Sequence, residues 1–261
     1  MDLREKYIMD MVNGITLYDG GHYCASDGMC VMEAVSYIAG EEFSEHPECA
    51  CPVVTAFMIS LNDSLRDEDR DRWIKPLIPS IIGSRVLLEN GQEDIDVQVK
   101  RALVAGDAAL RQFIPFTLDQ ASVLFAAKDE TAIANLCSDY AATLRALPEQ
   151  TTLHELETSA QFAHTALDPI NLGPYGDEAY LVSWCAHSDL FDLATRADNA
   201  AFILGKHRGI YDDIETIAEI GNVAHFAVRP NCDQTIARAE EINECRTSVA
   251  LKMLAVGFNS L

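Results

Sequence analysis

Between Tyr7 and Leu65 the chain has no lysine and no arginine, a gap of 59 residues. Nine acids, two histidines (His22, His46) and four of the eight cysteines (Cys24, Cys30, Cys49, Cys51) stand in that gap. A second segment without Lys or Arg runs from Ala146 to Thr195 and holds eight acids. Basic residues are scarce throughout, 19 against 41 acidic, for a formal charge of −22. A deficit of cations opposes direct binding to nucleic-acid phosphates, which clustered Lys and Arg drive. It opposes binding to anionic membranes for the same reason.

Long hydrophobic runs are missing as well. No stretch approaches the ~18 apolar residues of a membrane span. The N-terminal MDLREKYIMDMVNG has no apolar core of the signal-peptide kind. A cytoplasmic setting is the expectation, with all eight cysteines free. Also lacking are G-x-S-x-G, P-loop and G-x-G-x-x-G motifs, internal repeats and low-complexity tracts.

What is present is a helical pattern. With 261 residues and 49% hydrophobic content, the chain can bury a sizeable core. The spacing predicts a helix from Met29 to Ala39 that Gly40 ends. Another starts at Pro52, with Val53, Val54, Phe57, Met58 and Leu61 as its buried stripe. Asp67 reads as the cap of a third helix, which Pro76 and Pro79 kink or split. A long helix over 92–114 is expected to break at Pro115. Further helices are expected at 117–127, 129–147, 152–167, 178–187, 189–204 and 212–226. A last helix, capped by Asp233, reaches about Val256. The chain therefore reads as all-α, a single large multi-helix domain of about ten helices, with a short hairpin possible near the N-terminus. Residues 1–167 form its N-terminal part and 178–261 its C-terminal part, joined by the Pro- and Gly-rich stretch 168–178.

Three sets of residues could carry function. Cys24, Cys30, His46, Cys49 and Cys51 are thiol and imidazole groups in two clusters, as zinc requires, although C-x-C is tighter than the usual spacing. No cofactor is the primary expectation and zinc the alternative. Glu33 lies inside the apolar run CVMEAVSYI. If buried, it would suit acid–base work, with His46, Asn62 and Asp63 as companions. The plain alternative is an exposed Glu33, or one paired with Arg70 or Arg72. Finally, Glu41, Glu42 and Glu45 form an acidic group suited to contact with a protein partner. His154, His164 and the Trp184-Cys185-Ala186-His187 run match no catalytic spacing.

The strings CVMEAV–AGE, S-x-HP-x-C, PV and ND, spread over Gly28–Asp63, look similar to an uncharacterised family of hypothetical proteins of actinobacteria and tailed phages. The resemblance implies a bacterial or phage origin and a helical, cytoplasmic protein. It transfers no activity, cofactor or partner. Two functions follow from the residues. The first is an acidic interaction protein with a surface that could mimic nucleic acid, its partner a host or phage protein if the resemblance holds. The second is an enzyme, with metal assistance as one form of it, using Glu33, His46, Cys49 and Asp63. Convergence of Glu33, His46 and Asp63 in one pocket would favour the enzyme.

Overall fold

The structure, a computed structural model, describes residues 3–167, 178–206, 214–227 and 239–257. Among them the fold is all-α. The helices are α1 Leu3–Gly14, α2 Val31–Ala39, α3 Pro52–Ser64, α4 Asp67–Trp73, α5 Ile78–Ile81, α6 Ile95–Ala108, α7 Ile114–Ala126, α8 Thr131–Arg145, α9 Leu153–Leu167, α10 Glu178–Lys206, α11 Ile214–Ala227 and α12 Ala239–Ala255. A 3-10 turn, Lys75–Leu77, joins α4 to α5, and a π-turn, Ala109–Phe113, joins α6 to α7. With each joined run taken as one body, the described chain has ten helical units.

Local chemistry sets several boundaries. Cys30 caps α2 through a capping box. Its Sγ accepts from the Glu33 N–H at 3.4 Å, and the Glu33 carboxylate accepts from the Cys30 N–H at 2.8 Å. Gly40 closes α2 at φ 78°, a conformation that costs glycine little. Pro52 opens α3 in the first turn, where its missing N–H is no loss. Pro76 and Pro79 divide the 67–81 run, as expected.

Pro115 does not break its helix. The chain widens instead into a π-turn, where the Ile114 N–H reaches the Ala109 carbonyl. That widening relieves the clash of the proline ring with the carbonyl four residues back, and the helix continues as α7. The patterns at 178–187 and 189–204 belong to one unbroken helix, α10, because His187 to Asp189 contain nothing that terminates it. Residues 3–14 form a helix that the mixed N-terminal composition conceals. No hairpin forms near the N-terminus, since the 15–30 loop is closed mainly by side chains. The hairpin-like turn lies at 86–94, with Leu87 bridging Glu93 and Leu88 N–H donating to Gln92 O at 2.8 Å. The 168–177 junction and the Asp233 cap fall outside the described residues.

Buried apolar residues from Val12 to Leu254 join one core. Helix α3 runs through it with Val53, Val54, Phe57, Met58 and Leu61 all buried. Each such side chain contributes roughly 1.5–3 kcal/mol by leaving water. Around α3, α10 packs on α9 and α7, α7 on α8, α11 on α3 and α6, and α12 on α6. Arg101 is fully buried and donates to the Ser84, Met253 and Val256 carbonyls at 2.7, 3.0 and 2.8 Å. This ties the end of α12 to α6. No helix of the described residues is long and apolar enough to cross a membrane.

Cys185 is disulfide-bonded, which corrects the expectation of eight free thiols. The other described cysteines are free. Sequence spacing could not show this pairing, because the fold creates it. The thiols therefore no longer argue for a reducing compartment.

Candidate functional site

The 15–30 loop folds over the N-terminus of α2, and buried polar side chains hold it there. Glu33, 1% exposed, is the centre. It accepts from the His22 N–H at 2.6 Å, from the Cys30 N–H at 2.8 Å, and from His22 Nδ1 at 2.8 Å. With Glu33 ionised, Nδ1 carries the proton. Asn62, fully buried, accepts from the Val31 N–H at 3.1 Å and donates to Tyr18 O at 2.9 Å. Asp63 accepts from the Gly20 N–H at 3.1 Å, and Asp71 from the Leu17 N–H at 2.9 Å. Gly28 lies at φ 127°, and a Cβ there would stand 2.8 Å from the His22 ring. Only glycine fits that place.

Glu33 is thus buried with a partner, but the partner is His22. Among the described residues, no hydrogen bond or ion pair joins His46 to Glu33 or Asp63. Asn62 and Asp63 serve the loop. Arg70 turns instead to the Asn62 and Leu65 carbonyls and to Asp67. Arg72 pairs with Glu240 at 2.6 Å.

Cys30, Glu33 and Glu45 place one ligand atom each within 4.8 Å of one another and could hold a metal ion. The competing chemistry is strong. Three N–H groups already occupy Glu33, and the N-terminus of α2 presents positive potential that disfavours a cation. Burial, together with the Glu33 and Glu45 charges, pushes the Cys30 thiol up to about 12. It stays a neutral thiol at 3.9 Å from Glu45. Cys24 is exposed, beside Ser26 at 3.0 Å. Cys51 is buried at the start of α3. Burial and the Glu41 carboxylate raise the Cys49 pKa, which makes it a poor nucleophile at neutral pH.

The 41–51 loop packs back on α2, as its shortness predicts. The Ser44 N–H donates to Ser36 Oγ at 3.1 Å, and the Glu41 N–H to Ser36 O at 3.0 Å. His46 lines a cleft of about 960 Å³ between this loop, α3, α10 and α11. Glu45, Glu48, Arg85, Arg196 and His225 share its walls. Arg85 pairs with Glu93 at 2.6 Å, and His225 Nδ1 stands 3.3 Å from Ala56 O.

Two features escaped the sequence reading. His22 was legible only as part of a Gly-rich turn, with nothing to assign it to Glu33. The tyrosines of the Lys/Arg-free segment, Tyr7, Tyr18, Tyr23 and Tyr37, are all exposed, Tyr23 at 99%. Tyr37 stands off the apolar stripe of α2, while Tyr18 and Tyr23 lie in the 15–30 loop, where no stripe marks them. Of the nine acids there, eight reach solvent at least in part, and Glu33 alone is buried. Compared with known proteins, the chain matches no protein-family model, no curated protein and no solved structure.

Proposed function

We propose that this protein works by binding a protein partner through the acidic surface of residues 7–65. The observation behind the reading is the pairing of eight solvent-reaching acids with four exposed tyrosines in a segment without a single Lys or Arg. Tyrosine supplies contact area at low entropic cost and is enriched at interfaces. The unopposed acids steer and select a basic partner surface. Mimicry of a nucleic acid is the narrower form of this reading, and the resemblance to phage proteins is compatible with it.

The catalytic alternative keeps only His46, which lines a cleft and, among the described residues, makes no hydrogen bond or ion pair to Glu33 or Asp63. Glu33 is committed to loop closure, and Cys49 holds its proton.

Photo-crosslinking from Tyr23 and Glu42 positions in cells, followed by mass spectrometry, would identify the partner. Replacing Glu42, Glu45 and Glu48 by Lys should then weaken binding by at least roughly tenfold, steeply with salt. The same reversal at Asp67, Glu68 and Asp69 should do less, because Arg66, Arg70 and Arg72 already offset that field. Glu41 is left out because one of its carboxylate oxygens is buried without a hydrogen bond, so its reversal would disturb the loop itself. Binding that ignores both salt and the first triple reversal would reject the electrostatic interface.

A further inference from the structure

A second cleft, of about 520 Å³, shares no residue with the first and reverses the prevailing charge. It lies along one face of α6 and the π-turn, between α12 and the 149–151 connection, and is lined by Lys100, Arg111 and Lys252. The opposing charges on it are Asp107 and Glu149. Asp107 is already committed. It grips Arg111 at 2.8 and 2.6 Å and accepts from the Gln150 N–H at 2.9 Å. Elsewhere Arg70, Arg72, Lys75, Arg85 and Arg145 all meet a carboxylate. Lys100 and Lys252 are exposed and, among the described residues, meet none, in a chain with more than two acids for every base.

The cleft is built as a receptor as well as charged. Leu103, Val104 and Val249 give it an apolar floor. The π-turn rotates Gln112 onto its wall, where Gln112 Oε1 accepts from Cys245 Sγ at 3.0 Å. That leaves the amide NH2 without a partner among the described residues. A π-turn within a helix commonly marks a functional position. The volume falls within the roughly 300–1,000 Å³ usual for small-ligand sites. We propose that this cleft binds a small phosphorylated ligand. Lys100 and Lys252 would clasp the phosphoryl group, and Gln112 and the apolar floor would receive the organic part. This stands apart from the partner-binding surface and does not depend on it.

The test is an NMR titration of the full chain with inorganic pyrophosphate at low salt, with citrate in parallel. Saturable shifts at Lys100, Arg111 and Lys252 are expected with pyrophosphate. Affinity should fall at least roughly tenfold in the K100Q/K252Q double variant. Both lysines are exposed, so the melting temperature should not change. Reductive ¹³C-methylation of the lysines gives a readout that needs no fold-sensitive variant, with Lys100 and Lys252 shifting and Lys6 still. Absence of saturation, unchanged affinity in the double variant, or equal shifts at Lys6 would overturn the site. Citrate binding as tightly as pyrophosphate would overturn its phosphoryl assignment.

Discussion

Glu33 and Arg101 are both buried ionisable groups, and neither meets a side chain of fixed opposite charge. Glu33 sits at the N-terminus of α2, held by two backbone N–H groups and the His22 imidazole. Arg101, on α6, reaches the C-terminus of α12, where the Met253 and Val256 carbonyls accept, and also the Ser84 carbonyl. Helix ends leave N–H groups unpaired at the start and carbonyls unpaired at the finish. The anion is therefore placed where donors are spare, and the cation where acceptors are. The protein uses helix termini as its counter-ions. This is how a segment with no Lys or Arg keeps a carboxylate in its interior. The two sites differ in reach. Glu33 ties residues 22, 30 and 33, a local closure, whereas Arg101 joins groups 152 and 155 residues away.

That difference can be tested by removing each charge. Arg101→Met should be the most damaging substitution, destabilising by roughly 3–5 kcal/mol because three buried carbonyls lose their donor. Urea unfolding measures the loss, and hydrogen exchange should show amides 249–257 opening first. Glu33→Gln should cost less, roughly 2–3 kcal/mol, since an amide NH2 then faces N–H donors. Exchange should rise at 17–31 while the α12 amides stay protected. If Glu33→Gln loosens α12 as well, the two sites are one cooperative unit and the contrast of local with long-range closure fails. Asn62→Ala should follow at about 1–3 kcal/mol, through the unpaired Val31 N–H and Tyr18 carbonyl.

A smaller effect concerns the thiols beside the knot. Burial raises Cys30 to about 12 and Cys137 to about 11, from an ordinary value of 9.0. The folded thiols hold their protons more tightly than the unfolded ones. Their contribution is therefore complete below pH 9 and is lost as pH rises towards 11–12. Alkaline unfolding should move to higher pH in Cys30→Ala relative to the wild type, after correction for its stability at pH 7. In thiol titration Cys24 should react at once and Cys30 only on unfolding. The least effect is expected from Lys100→Gln, within about 0.5 kcal/mol, since no carboxylate loses a partner.

Local signals told most of the fold. Gly40 after an apolar stripe, Pro52 before one, and Pro76 with Pro79 inside one each act on the nearest turn, so one sequence suffices to place α2, α3 and the split at 67–81. Pro115 misled because its remedy, a π-turn, depends on packing on both sides. Residues 187–189 misled because polarity alone does not end a helix. At the site, Glu33 was legible as an acid in an apolar run, but its partner was not. His46 and His22 are both loop imidazoles, and only the path of the 15–30 loop decides between them. Arg101 gave no local sign, because two of its three acceptors lie at the far end of the chain. The exposed tyrosines and the cleft at Lys100 and Lys252 likewise depend on which faces the helices turn outward.

The π-turn at Ala109–Phe113 can also be read as a scar of length. A π-turn holds one residue more than the α-helical turn it replaces. Each residue rotates a helix by about 100°. That extra residue sets the phase between α6, which faces α11 and α12, and α7, which faces α8 and α10. Deleting one residue within 109–113 would remove the widening and return the Pro115 ring to the carbonyl four residues back. It would also turn every side chain of α7 about a quarter-turn or more away from α8. The irregular helix is the one in register, so in this segment the chain's tolerance to insertion and deletion is set by phase and not by helical propensity.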